Sequence, residues 1–141
     1  MTMSSQPAFC VTPTSVQTNI TAGDHVTVVF GTEIFDQNSD FSSNTFTAPV
    51  TGRYQLNAQL YVISLDSVSD FYQARIVTSN RNYEAVFDPD FGQDAVYWAF
   101  SINALADMDA GDTVTVSLRQ QSGTSQTDID NGSRFSGYLV A

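Results

Sequence analysis

Apolar side chains recur at every second position along much of this chain, a period that fits strands with one buried face and excludes amphipathic helices as the main elements. Tyr54, Leu56, Ala58 and Leu60 alternate with Arg53, Gln55, Asn57 and Gln59, and Val114, Val116 and Leu118 alternate with Thr113, Thr115 and Ser117. The clearest run sets Val96, Trp98, Phe100, Ile102 and Ala104 on one face against Tyr97, Ala99, Ser101 and Asn103, and predicts that Trp98 packs inside. Residues 103–108 contain the helix-favouring Ala104-Leu105-Ala106, but Asp107 and the Ala110-Gly111-Asp112 turn limit any helix there to one turn.

Turn chemistry separates the runs. Residues 49–52, 79–82, 110–112, 122–124 and 131–132 supply Gly, Asn, Ser or Pro where the chain must bend. About ten short strands result, the density of an all-β sandwich or barrel. A chain of 141 residues fits one domain and buries ~70% of its unfolded surface. With Cys10 as the single cysteine no intrachain disulfide can form, so stability comes from packing, assembly or both. Residues 1–7 read as a flexible or docking arm before a domain spanning residues 8–141.

Thirteen Asp and two Glu face five Arg and no Lys, a formal net charge of −10. Such a surface repels phosphate, which disfavours nucleic acid and anionic membrane as partners. No apolar run approaches the ~20 residues of a membrane-spanning helix, so membrane insertion is not expected, and residues 1–9 lack the basic start and apolar stretch of a secretory signal. The surface is nonetheless rich in Thr, Ser, Asn, Gln and Asp, as in proteins used outside cells; release by lysis within a virus particle reconciles the two.

Phe35, Asp36, Phe41, Phe46, Thr47, Pro49, Val50, Gly52, Tyr54 and Leu56 form an ordered pattern: an aromatic before an acid, another aromatic five on, then Phe-Thr-x-Pro-Val-x-Gly-x-Tyr and an alternating strand. Residues 110–114 (Ala-Gly-Asp-Thr-Val) and 134–139 (Arg-Phe-Ser-Gly-Tyr-Leu) continue it, and Ala8-Phe9 fits an opening strand. This pattern resembles the globular head domains of the C1q type, and the resemblance spans residues 8–141. It implies a jelly-roll β-sandwich shared with tumour necrosis factor ligands, non-enzymatic and assembling as a homotrimer. Phe46 and Tyr54 flank a turn that carries both rings to the core. In the last strand Phe135, Gly137 and Leu139 share one face while Tyr138 and Val140 make the other apolar too, so both faces are expected to be covered. Phe135, Tyr138, Val140, Tyr54 and Phe46 are therefore the seam and structural candidates. Without a collagen-like Gly-X-Y run, and with Ala48 where many animal members carry Cys, the chain looks closer to compact C1q-like proteins of bacteria and their phages.

Chemistry-bearing residues are sparse. His25 adjoins Asp24, but no Gly-x-Ser-x-Gly elbow accompanies them, and a solvated turn is the expectation. Cys10 lies between Phe9 and Val11 without a basic neighbour in sequence, which points to a buried structural thiol. Asp88, Asp90 and Asp94 with Phe87 and Phe91 make an acidic, aromatic loop; its oxygens could converge on calcium or stay solvated, and solvation is the usual fate. The same five residues are the candidate partner-contact loop. Asp107, Asp109 and Asp112 form a second acidic group, and Phe71, Tyr72, Tyr83, Phe87 and Phe91 an aromatic concentration expected in core or seam. No cofactor other than calcium suggests itself, and the sequons at Asn19 and Asn131 carry weight only in a secretory pathway. The functional expectation is a bacteriophage capsid decoration or cement protein, virion-located, whose partners are its own copies and the major capsid protein or another virion protein. The alternative is a receptor- or glycan-binding head of a phage fibre or extracellular adhesin, with a host surface glycan as partner.

Overall fold

The computed structural model describes residues 5–141. They build two antiparallel sheets and no helix. The strands are β1 (Ala8–Thr12), β2 (His25–Thr27), β3 (Thr32–Gln37), β4 (Phe41–Ser42), β5 (Thr45–Thr47), β6 (Gly52–Leu65), β7 (Phe71–Thr78), β8 (Asn82–Phe87), β9 (Ala95–Met108), β10 (Thr113–Gln121), β11 (Asp128–Ile129) and β12 (Arg134–Leu139). Twelve strands thus stand where about ten were expected, the excess being two-residue pieces such as β4 and β11. Sheet I runs β9–β6–β12–β1–β3, with β11 beside the far end of β6; sheet II runs β4–β5–β10–β7–β8, with β2 against β10. Residues 103–108 continue β9 and form no helical turn.

The two sheets close over one core in which β6, β7 and β10 alternate almost without error. Tyr54, Leu56, Leu60, Tyr72, Ile76, Val116, Leu118 and Phe135 have no or almost no exposed surface. Phe9 stacks on Phe46 at 4.5 Å and meets the edge of Phe135 at 4.9 Å. Phe46 faces Tyr54 at 5.7 Å, and the Tyr54 hydroxyl donates to the Val50 carbonyl at 2.6 Å, so the ring is buried with its polar end satisfied. Two motif glycines are fixed by close approach. A Cβ at Gly137 would sit 2.8 Å from both Leu56 and Phe9, and one at Gly52 would meet the Ala141 carbonyl at 2.6 Å.

Two expectations fail here. Trp98 and Val96 share a face with Ile102, but they are 38% and 64% exposed, because β9 outruns the cover that sheet II gives and its first half opens to solvent. Cys10 is half-buried on the outward side of β1, and Arg134, two strand positions from the cross-strand partner of Cys10, is the basic neighbour that its sequence context lacks. Burial raises the thiol's pKa and the Arg134 charge pulls it back only in part.

Candidate functional site

One groove, of about 680 Å³, lies where the two ends of the chain meet, lined among others by Pro7, Val50, Leu139 and Val140, and no acidic, basic or thiol side chain lines it. It forms because residues 5–7 dock onto the domain: Gln37 donates to the Gln6 carbonyl at 2.6 Å, Asn38 to the Ser5 carbonyl at 3.0 Å, and the Leu139 amide to the Pro7 carbonyl at 3.0 Å. Residues 1–4 of the expected arm lie outside the described residues.

The acidic loop does not gather its carboxylates. Asp94 accepts from the Ser67 amide and hydroxyl with one oxygen, both at 2.9 Å, and from Gln126 with the other, at 3.0 Å; these bonds hold its carboxyl below the usual range. Asp88 turns back to the Asp90 amide at 3.1 Å. Asp107 pairs with Arg81 at 2.9 Å, and Asp112 caps the Asp109 amide at 2.8 Å. Among the described residues no three His, Cys, Asp or Glu side chains are grouped as a metal ion needs, so the calcium reading of Asp88, Asp90 and Asp94 has no geometric basis. His25 does not meet a carboxylate either: its Nε2 lies 3.2 Å from an Arg119 nitrogen.

What the molecule does present is apolar surface, in two unlike patches. The first is the outward face of sheet I. Register places Leu105, Gln55, Tyr138, Ala8 and Gln37 in one cross-strand row and Asn103, Asn57, Ser136, Cys10 and Phe35 in the next. Leu105, Tyr138 and Phe35 are each about half exposed. At the other end of β6, Tyr61 and Tyr97 lie 5.8 Å apart on the same face. The second patch seals the mouth between β8 and β9. Phe87 stacks on buried Tyr72 at 5.4 Å and meets Phe100 at 4.9 Å, Trp98 lies against Phe87 at 5.8 Å, and Phe91 caps Trp98 at 4.9 Å. This chain of rings leads from core to solvent and ends on Phe91 and Trp98.

The seam and structural candidates divide accordingly. Phe46, Tyr54 and Phe135 are fully enclosed within the chain, beyond reach of any second subunit, while Tyr138 and Val140 remain open. The sequence marks Phe35 only as a motif position and Leu105 only as a helix former, and neither is expected on this face, since β3 lacks clean alternation and Leu105 sits in the segment disputed between helix and strand.

The order Phe35-Asp36, Phe41, Phe46 to Tyr54, the Gly111-Asp112 strand start and the Phe135-Ser136-Gly137-Tyr138 close thus all sit on one sandwich. The family model of the C1q domain matches residues 8–140. The chain belongs to the C1q domain family. Among solved structures, the globular domain of zebrafish complement 1qA superposes with a TM-score of 0.66 at 20% identity, covering 96% of this chain and 98% of that one. Murine APRIL superposes with TM-scores of 0.65 and 0.68 in two structures, at 12% and 11% identity, over 96% of this chain and 99% of that one. At these identities the likeness is one of fold. No curated protein matches the chain.

Proposed function

We propose that this C1q-type chain works as a homotrimer that binds or braces a partner and performs no catalysis. The observation that carries the trimer is the pair of unlike apolar patches. A two-fold dimer buries one patch against itself, whereas a rotational ring buries one patch of each copy under a different patch of the next. Here the outward face of sheet I and the ring-lined edge of β9 supply two such surfaces on one subunit. The C1q family supports three as the number that closes the ring.

The narrower reading is a bacteriophage virion-surface protein, a capsid decoration that sits at local three-fold positions and cross-links neighbouring capsid subunits. Binding only the assembled shell, it stabilises that state by mass action. The lysine-free, Thr- and Asn-rich exterior, suited neither to nucleic acid nor to anionic membrane, supports it. A receptor- or glycan-binding head is the second reading, favoured by the exposed Asp88 and Asp90 on one loop. Light scattering behind a sizing column tests the trimer: about 46 kDa is expected, three times 15.4 kDa, and a lone subunit at micromolar concentration overturns it. Mass spectrometry of purified particles tests the virion reading, which fails if the protein is missing from them. Host-cell binding by labelled trimer, lost on substitution of Asp88 and Asp90 with the trimer intact, would move the choice to the recognition head.

A further inference from the structure

Sheet II turns outward a surface unlike any other on this acidic chain. Alternation sends Ser117, Arg119 and Gln121 outward on β10, Gln73 and Arg75 on β7, His25 and Thr27 on β2, and Glu84 and Val86 on β8. Register then sets His25, Arg119, Gln73 and Val86 in one cross-strand row and Thr27, Ser117, Arg75 and Glu84 in the next. Arg119 and Arg75 are diagonal neighbours, a relation that puts Cβ atoms ~7–8 Å apart and within reach of long side chains.

Neutral groups hold both arginines. Arg75 donates through Nε to the Ser117 hydroxyl at 3.2 Å, and Arg119 through Nε to the Gln121 side-chain oxygen Oε1 at 2.9 Å. Arg119 also donates through Nη1 to His25 Nε2 at 3.2 Å. A guanidinium only donates, so His25 accepts here as a neutral ring with its proton on Nδ1. Neither arginine makes an ion pair, although fifteen acids stand against five Arg; the one ion pair among the described residues is Arg81–Asp107. Among the described residues, the terminal nitrogens of Arg75 and the second Nη of Arg119 have no acceptor. Around them stand the amides of Gln73 and Gln121 and the hydroxyl of Thr27, donors and acceptors of the kind that meet sugar hydroxyls, with Phe71 paired across from Gln121.

We propose that this face of sheet II binds an acidic saccharide, seating its carboxylate, sulfate or phosphate between Arg75 and Arg119, with His25 as the group that tunes the site to pH. Arginine forks take oxyanions through paired N–H bonds, and prior immobilisation through Nε reduces what ordering costs on binding. The net charge of −10 does not forbid it, because distant carboxylates are screened beyond ~8 Å at physiological salt. The charged groups facing His25 are Arg119 from β10, Arg75 from β7 and Glu84 from β8, with Asp24 beside it in the chain. Protonation of His25 releases Arg119 Nη1 and adds a third positive charge, so affinity rises as pH falls. Burial first, then the two arginines, hold the His25 pKa below its ordinary value while the site is empty; a seated anion offsets that repulsion. The outward side of sheet II lies opposite the outward face of sheet I and does not include the β9 edge, so the site needs no second subunit and stands or falls apart from the trimer.

The test is an NMR titration of the full chain with glucuronate, glucose 6-phosphate and sodium sulfate, against glucose and against sodium chloride at matched ionic strength. Saturable shifts of the Arg75 and Arg119 Nε–H signals and the His25 ring are expected with at least one acid and with neither control. Saturation by glucuronate alone assigns a carboxylate ligand, by glucose 6-phosphate or sulfate a tetrahedral one. R75Q and R119Q should each weaken binding about tenfold, and R119K, which keeps the charge without the fork, severalfold. Wild-type affinity should rise severalfold from pH 7.5 to 5.5, and in H25Q it should not. Shifts that never saturate, or that persist unchanged in the folded double variant R75Q/R119Q, overturn the site; shifts equal in chloride do the same.

Discussion

The two sheets obey one alternation rule inward and two different ones outward. Sheet I shows solvent Leu105, Tyr138, Phe35 and Tyr97 around a middle of Asn57, Asn103, Gln55 and Ser136, whereas sheet II shows Arg75, Arg119, His25, Glu84 and a row of Thr and Gln with Val86 as the one strongly exposed aliphatic. Exposed apolar clusters with few charges are what protein interfaces look like before their partner arrives. A face of guanidinium, imidazole and hydroxyl groups prefers water or a polar ligand. On the two proposals made above, self-association belongs to one side and recognition to the other, and the core between them carries neither.

Neighbours on β12 give the strongest test of that division. Phe135 touches Phe9, Phe30 and Phe41 and has no exposed surface, so Phe135→Ala should cost about 3–5 kcal/mol in urea unfolding. Tyr138, three residues on and 45% exposed, should behave otherwise. Tyr138→Asp is expected to leave the unfolding of the separated subunit within about 0.5 kcal/mol while raising the trimer dissociation constant about 30-fold or more. A Tyr138→Asp chain that sediments as the wild type does would mean that sheet I is not the seam.

Trp98 lies at the junction of core and edge, and its replacement should have an intermediate effect. Full burial would put Trp98→Ala at about 3–5 kcal/mol; with 38% of its surface open, about 2 kcal/mol is the expectation for the isolated chain. Assembly should weaken at the same time, because Phe91 loses the ring it caps. Val86→Asp, on the outward side of sheet II, is the matched control: a change within about 0.5 kcal/mol and no change in oligomer mass. A Val86→Asp chain that falls apart into monomers would place the seam on the wrong sheet.

How far the sequence could be read depended on what covers each residue. Period two suffices for Tyr54, Leu56, Val116 and Phe135, because a half-buried strand needs only to know its own parity. The motif glycines were legible as well, and the structure supplies their reason: Phe9 and Leu56 leave no room for a Cβ at Gly137. Parity alone misplaced Trp98, whose fate turns on how far the opposite sheet extends. Cys10 failed for a different reason: parity itself turns a strand position between two core residues outward, and the reading of a buried thiol set that aside. The Arg75–Arg119–His25 group was invisible because the three lie 44 and 94 residues apart and meet only through the register of β2, β10 and β7.

The smallest effect tests the sheet II face alone. Burial and the two arginines lower the His25 pKa in the folded chain from its ordinary 6.5, against a weaker opposing pull from Glu84. Between the folded and unfolded values the unfolded chain holds more protons, so stability rises with pH across that window. The contribution is complete above about pH 7.5 and is lost as pH falls through the folded pKa. His25→Gln should remove this slope from a plot of urea midpoint against pH and leave the midpoint above pH 7.5 almost unchanged. Saturating sulfate should flatten the wild-type slope or invert it, because an anion between Arg75 and Arg119 favours the protonated ring. If sulfate shifts the midpoint equally at every pH, and equally in His25→Gln, then the imidazole does not sense the anion and the two arginines act without it.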